Sequence, residues 1–220
     1  MAASLLQQIQ EGCDAIALAL STDQHQQLLD YVALLAKWNK VYNLTSVRVI
    51  DEMVSRHLLD SLAILPYLSG ESLLDVGSGG GLPGIPVSIA RPDLAVTLLD
   101  SNSKKTRFLQ QVKAELKLTN VTVVHARIEQ ADLPQFEVVT ARAFSTIGDI
   151  IDLTGRHCHD AGRLLLMKGV YPESELKALA SGFSVGDIHV LDVPGSDGQR
   201  HLVELIKNVR DSKIKGCLNG

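Results

Sequence analysis

The residues best able to do chemistry crowd into one stretch, "LLDVGSGGGLPGIP" at 73–86, where five glycines fall within the eight positions 77–84. A glycine-rich turn straight after a short apolar run brings bare backbone close to a ligand, and several nucleotides use such turns. A P-loop needs Gly-Lys-Ser/Thr after its glycines to hold phosphates and magnesium, but Pro83-Gly84-Ile85 stands there, which excludes an ATP- or GTP-hydrolysing loop. Gly79, Gly81 and Gly84 satisfy G-x-G-x-x-G, the dinucleotide pattern. Its register is awkward, because the strand ends at Val76 and the sixth position counted from Gly77 is Leu82. Pro83 and Pro86 also each remove an N–H that a pyrophosphate would want at the helix start. S-adenosylmethionine has no phosphates, and its methionine and ribose can lie along glycine backbone. Asp100, closing the next apolar run "VTLL", is placed to accept both ribose hydroxyls. Dehydrogenases carry an acid in a similar place, so Asp100 alone does not discriminate. The residues favour the methyl donor, with a dinucleotide or a ligand-free turn as alternatives.

Other residues invite chemical readings beside plainer ones. "RHCHD" at 156–160 carries two histidines and a cysteine, but neighbours at i and i+2 on a helix diverge and no second ligand pair has metal-like spacing, so no metal site is expected. Trp38, Tyr42 and Leu44 could stack on a base, although Trp38 at helical spacing with Leu34 and Leu35 reads as packing. His57 and Asp60 in "RHLLDS" share a helical face and could anchor the N-terminal helices or line a base pocket. Cys13, Cys158 and Cys217 are odd in number and far apart, which implies no disulfide framework and fits a reducing cytoplasm.

Residues 1–68 read as helical: "SLLQQIQEGCDAIALAL", then a segment capped at Ser21 or Thr22, then "DEMVSRHLLDSLAILPYL" ending near Pro66. From Leu73 short apolar runs alternate with helical stretches: "SLLDV", "AVTLLD", "VTVVHA", "FEVVTA" and "GRLLLMK", separated by "IPVSIA", "SKKTRFLQQVKAELK" and "FSTIGDIIDLTGRHC". That alternation predicts a doubly wound parallel sheet. "SVGDIHVLDV" and "RHLVELIKNV" are joined by "PGSDGQ", too short for a crossover helix, so they form an antiparallel hairpin. The α/β reading is therefore a mostly parallel sheet of seven strands with a terminal hairpin, a Rossmann-like arrangement of the class I methyltransferase type rather than of nicotinamide folds. The expected organisation is a helical cap at 1–68, a sheet domain at 69–210 and a tail at 211–220, forming one compact unit.

At 220 residues, 45% hydrophobic and 21% charged, the composition is that of a soluble globular protein. No apolar run approaches the roughly 20 residues that cross a bilayer, and no signal segment opens the chain, so a cytoplasmic protein without membrane association is expected. The formal net charge of −4 means that any nucleic-acid contact relies on a local basic patch.

"LLDVGSGGGLPGIPVSIARPDLAVTLLDSNSKKTRFL", with "KWNKVYNLTSV", "HLLDSLAIL", "VVTARAF", "LLLMKG" and "RHLVELIK", closely resembles the bacterial small-subunit rRNA methyltransferase G family, also called glucose-inhibited division protein B. The resemblance covers almost the whole chain. It implies methylation of the seven-position nitrogen of a guanine in the 530 loop of 16S rRNA, with S-adenosylmethionine as cofactor and the 30S subunit or an assembly intermediate as partner. It implies that Gly77, Gly79 and Leu82 line the methionine and ribose side of the cofactor, that Asp100 holds the ribose hydroxyls, that Ile128 and Glu129 flank the adenine, and that Arg142 belongs to the same site. Arg127, Lys168 and Arg200 are the RNA-side candidates, with further positive charge at Arg48, Arg56, "NSKKTR", "RHCHDAGR" and the tail "KNVRDSKIK". No general base is expected, since that nitrogen carries a free lone pair. The expected enzyme is a monomer. Competing readings are a nicotinamide-dependent oxidoreductase and a ribosome-assembly factor without catalytic activity.

Overall fold

The computed structural model describes residues 2–142, 145–179 and 182–208. The tail at 211–220, Cys217 and the Ala143-Phe144 pair of "TARAF" therefore lie outside the described residues.

Two helices open the chain, α1 (Ala2–Ala15) and α2 (Thr22–Tyr42). Ser21 caps α2 with a full capping box: its hydroxyl accepts from the Gln24 N–H at 3.2 Å and the Gln24 side chain accepts from the Ser21 N–H at 2.9 Å. Leu28, Tyr31, Val32, Leu35 and Asn39 form its buried face, the spacing of an amphipathic helix packed on a core. The third helical stretch is continuous but not uniform. It runs through α3 (Ile50–Met53), a π-helical turn (Val54–Leu59) and α4 (Asp60–Leu62). A single-turn widening of this kind leaves no mark in the apolar periodicity, which is why the sequence reads there as a plain amphipathic helix.

The sheet has seven strands in the order β3-β2-β1-β4-β5-β7-β6. They are β1 (Ser72–Val76), β2 (Ala95–Asp100), β3 (Val121–His125), β4 (Phe136–Arg142), β5 (Cys158–Lys168), β6 (Phe183–Val190) and β7 (His201–Lys207). Strands β1 to β5 are parallel, while β7 runs antiparallel to both β5 and β6, the expected late reversal. The crossovers carry α5 (Gly84–Ala90), α6 (Ser103–Glu115) and α7 (Ile147–Thr154), and a short α8 (Glu173–Lys177) precedes β6. β5 begins at Cys158, earlier than the "GRLLLMK" run: Phe136 pairs with Cys158, and the register then skips so that Val138 pairs with Arg163. Between Cys158, which is buried, and Arg163 the chain reads His159-Asp160-Ala161-Gly162 and makes no further bridge to β4, so this stretch carries no strand-like apolar pattern.

Alternate residues feed two cores, as period-two pleating requires. Leu73, Val96, Leu98, Val138 and Leu165 pack with the N-terminal helices, α5 and α6. Leu74, Val76, Leu99, Val139 and Leu164 pack on the other face with α7. Because β2 and β4 lie on opposite sides of β1, the chain changes direction across the sheet between β1 and β4. The carboxyl edge at such a switch point is where open α/β sheets bind ligands. No helix among the described residues is long and apolar enough to cross a membrane.

Candidate functional site

The turn after β1 is held by its neighbours. The N–H groups of Gly77 and Ser78 both donate to the Leu99 carbonyl, at 2.8 and 3.1 Å. Gly79 has φ +58, a left-handed conformation that turns its N–H onto Asp100 Oδ2 at 2.9 Å. Gly84 is needed for close approach, since a Cβ there would meet Leu98 and lie 2.8 Å from Asp75 Oδ2. From below, the buried Tyr31 of α2 donates its hydroxyl to the Gly80 carbonyl at 2.8 Å.

Asp75, on β1, has no exposed surface, and its Oδ2 accepts from the Gly84 N–H at 3.0 Å. Its Oδ1 is buried with no hydrogen-bond partner among the described residues. Burial pushes the carboxyl up to about 7, against the opposing pull of the Gly84 N–H and the Arg142 charge.

Above the ends of β1, β2 and β3 lies a cavity of about 420 Å³, lined in part by Gly77, Asp100, Lys105, Arg127, Ile128 and Glu129. Asp100 is 5% exposed, and its second oxygen accepts from the Asn102 N–H at 2.8 Å. Lys105 of α6 stands 3.7 Å from Asp100 Oδ2. Ile128 is buried on a short 3₁₀ turn (Ile128–Gln130), with Arg127 and Glu129 exposed on either side. That turn hangs on Arg156, whose Nη2 donates to the carbonyls of Ile128 and Glu129, each at 2.8 Å, and of Ala131 at 3.4 Å. Arg156, from the "RHCHD" stretch, is thus a buttress of the cavity wall.

A second cavity, of about 290 Å³, opens beyond β4 and β5. Its walls include Arg142 and Lys168 at the strand ends, Arg200 from the β6–β7 connection, His201 at the start of β7, and Arg56, His57 and Asp60 from the N-terminal helices. The Asp60 carboxylate accepts from Arg142 Nη1 at 3.0 Å and from Arg200 Nε at 3.2 Å. His57 Nδ1 lies 2.8 Å from the Arg56 carbonyl, which can only accept, so that nitrogen carries the proton. His57 Nε2 then accepts from the Thr45 hydroxyl at 2.6 Å. Burial and the nearby Arg142 charge lower this imidazole to about 4 and keep it neutral. Lys168 donates to Glu175 at 2.9 Å and to the Ser145 carbonyl at 3.0 Å. His201 is 4% exposed, and its Nδ1 is buried without a partner among the described residues.

The structure therefore brings Gly77, Asp100, Ile128 and Glu129 together around the first cavity, with Gly79 holding Asp100. Arg127 stands with them rather than with Lys168 and Arg200. Arg142 faces the second cavity, and Leu82 is buried in the core under the turn. Lys105 and Arg156 belong to the basic stretches "NSKKTR" and "RHCHDAGR", read from the sequence as charge toward RNA and not as parts of the first cavity, while Glu175 has no place in the sequence reading. Only Lys105 had a signal, its place in the first turn of the helix that follows Asp100. Trp38 packs between Tyr42 and Phe108, with ring centroids at 5.2 and 5.5 Å, as its spacing indicated.

The fold resembles those of solved methyltransferases. A glycopeptide N-methyltransferase, MtfA, superposes with a TM-score of 0.57 at 15% identity, covering 70% of this chain and 96% of that one. An S-adenosylmethionine-dependent methyltransferase from Aquifex aeolicus gives 0.51 at 19% identity, covering 67% and 89%. TYW2 from M. jannaschii, solved in complex with AdoMet, gives 0.52 at 18% identity, covering 70% and 77%. In sequence, the chain is 54% identical to the ribosomal RNA small subunit methyltransferase G of Pseudomonas syringae pv. syringae (strain B728a), over 90% of this chain and 94% of the relative. The enzyme of that name from Pseudomonas aeruginosa (strain LESB58) is also 54% identical, with the same shares covered. The family model described as rRNA small subunit methyltransferase G matches residues 24–203, and with these relatives it places the chain in that family.

Proposed function

We propose that this protein transfers the methyl group of S-adenosylmethionine to the seven-position nitrogen of a guanine in the 530 loop of 16S rRNA. The observation that carries the reading is a pair of cavities on either side of one sheet switch point: bare glycine backbone and an aimed carboxylate in one, a group of cationic side chains in the other.

The first cavity fits a donor without phosphates. Pro83 and Pro86 leave the start of α5 short of free N–H groups, while Asp100 offers a carboxylate already oriented by Gly79 and Asn102. In this reading Asp100 accepts the ribose hydroxyls, Ile128 gives an apolar wall to the adenine with Glu129 beside it, and the methionine end passes the glycine turn toward β4, the neighbour of β1, where Arg142 on the wall of the second cavity takes its carboxylate. When bound, the cofactor supplies a methyl group on a sulfonium centre, the electrophile of the reaction.

The protein's own residues have no proton to move, because the acceptor nitrogen has a free lone pair. The second cavity is consistent with that: His57 is neutral and committed at both ring nitrogens, and Lys168 is engaged with Glu175. Its residues orient the extruded base and exclude water, so catalysis rests on placement. Arg200 and Arg56 answer to phosphates, and Arg127 contacts RNA from the rim of the first cavity. The N-terminal helices at 1–68 complete the base pocket, and the enzyme works as a cytoplasmic monomer on the 30S subunit or its assembly intermediate.

Incubating free 16S rRNA and 30S particles with methyl-labelled cofactor, then mapping the label, tests this. The expected product is 7-methylguanosine at one nucleotide of the 530 loop. No label on any substrate, or label on another atom, overturns it.

A further inference from the structure

Asp60 is the first residue after the π-helical turn, and its side chain is only 5% exposed. A carboxylate so placed must be compensated, and here two cations share it. Arg142 comes from the end of β4, 82 residues away, and Arg200 from the β6–β7 connection, 140 residues away. The two guanidiniums occupy different oxygens of the one carboxylate. Each has a second tie to backbone: Arg142 to the Arg56 carbonyl at 3.3 Å, and Arg200 to the Gln199 carbonyl at 3.0 Å. Their side chains keep 21% and 25% of their surface open, so each retains donors for a ligand.

On the reading above, these arginines serve different ligands, Arg142 the donor's carboxylate and Arg200 an RNA phosphate. We infer that Asp60 is a positioning residue that couples the two halves of the site, setting both guanidiniums through one shared carboxylate. With both arginines in place, each gives Asp60 part of its charge compensation. If Arg200 is removed, Asp60 draws Arg142 more tightly, and Arg142 is less available to the donor. A change on the RNA side is then felt in cofactor affinity, a coupling between two distinct sites.

The test uses the full-length enzyme and isothermal titration with S-adenosylhomocysteine, a readout independent of turnover. Arg200→Gln is expected to raise the Kd for S-adenosylhomocysteine about five-fold or more, the lower end of ordinary coupling. Asp60→Asn, isosteric but uncharged, should raise both that Kd and the KM for rRNA, with kcat at saturation changed far less. In the Asp60→Asn background, Arg200→Gln should add nothing to the Kd, because the carboxylate that transmits its effect has gone. An unchanged Kd in Arg200→Gln overturns the proposal, as do strictly additive effects in the double variant. If Asp60→Asn fails to fold, the Arg200→Gln titration decides alone. Failure of the underlying reading looks different: the unaltered protein itself would bind no S-adenosylhomocysteine and label no rRNA.

Discussion

Asp75 joins the fold to the site, since one of its oxygens pins Gly84 while the other is buried without a partner among the described residues. Its carboxyl is raised from 3.8 to about 7, chiefly by burial. Between those values the folded chain holds a proton that the unfolded chain has released, so this group's contribution to stability is greatest below the lower value and is lost as pH rises through about 7. His57 works in the opposite sense. Its folded value of about 4 lies below the ordinary 6.5, so its contribution is full above 6.5 and lost as pH falls toward 4. The two slopes oppose each other in mildly acidic solution, and only a substitution separates them. Asp75→Asn keeps an acceptor for the Gly84 N–H and removes the ionisation. Its melting temperature should match that of the unaltered protein near about pH 4 and exceed it by several degrees at about pH 8, a gap that widens with pH. A gap that stays constant across the range would show that Asp75 does not titrate as its burial dictates.

The elements position the first cavity by carrying short, rigid pieces to the strand ends, and the 3₁₀ turn at Ile128–Gln130 is the piece with the least support of its own. Three of its nearby carbonyls are gathered by Arg156, from the 3₁₀ turn (Gly155–His157) that follows α7. Arg156→Ala should therefore loosen the cavity wall that the proposed function gives to the adenine. The expected effect is about a ten-fold rise in the Kd for S-adenosylhomocysteine, about 1.4 kcal/mol, with the KM for rRNA little changed; equal rises in both constants would mean that Arg156 also touches RNA. The strands themselves were legible, because a strand buried on both faces must be an apolar run between turns, as "SLLDV" and "AVTLLD" are. Gly77 and Asp100 were legible for a related reason, since they end such runs. Arg156 was not, because it acts on backbone carbonyls about 25 residues earlier in the chain and no side-chain pattern records that. The Asp60 bridge was hidden likewise: its partners are 82 and 140 residues distant, and the π-helical turn that aims it has no sequence signature.

For the whole molecule, the open question is how a chain of formal charge −4 reaches a polyanion. The cations at the second cavity are largely spoken for within the protein: Arg142 and Arg200 by Asp60, Lys168 by Glu175, and Arg56 by Glu52 at 3.3 Å. Each pairing fixes a long side chain in advance and reduces the local charge that attracts phosphate from afar. On the proposed function such a surface relies on shape and on the extruded base more than on a broad electrostatic field. The N-terminal helices belong to that shape, since their buried residues share one core with α5, α6 and the sheet, and they bring Arg56, His57 and Asp60 to the pocket. RNA binding should therefore depend only weakly on salt. Two to four phosphates neutralised on a single strand correspond to a slope of log K against log salt of about −1.4 to −2.8. Fluorescence anisotropy with a labelled hairpin carrying the 530 loop, titrated from low to high potassium chloride, measures it. Arg200→Gln should make the slope shallower by about 0.7, one phosphate's share. A slope several times steeper for the unaltered protein would mean that a much broader basic surface engages the RNA than the second cavity supplies.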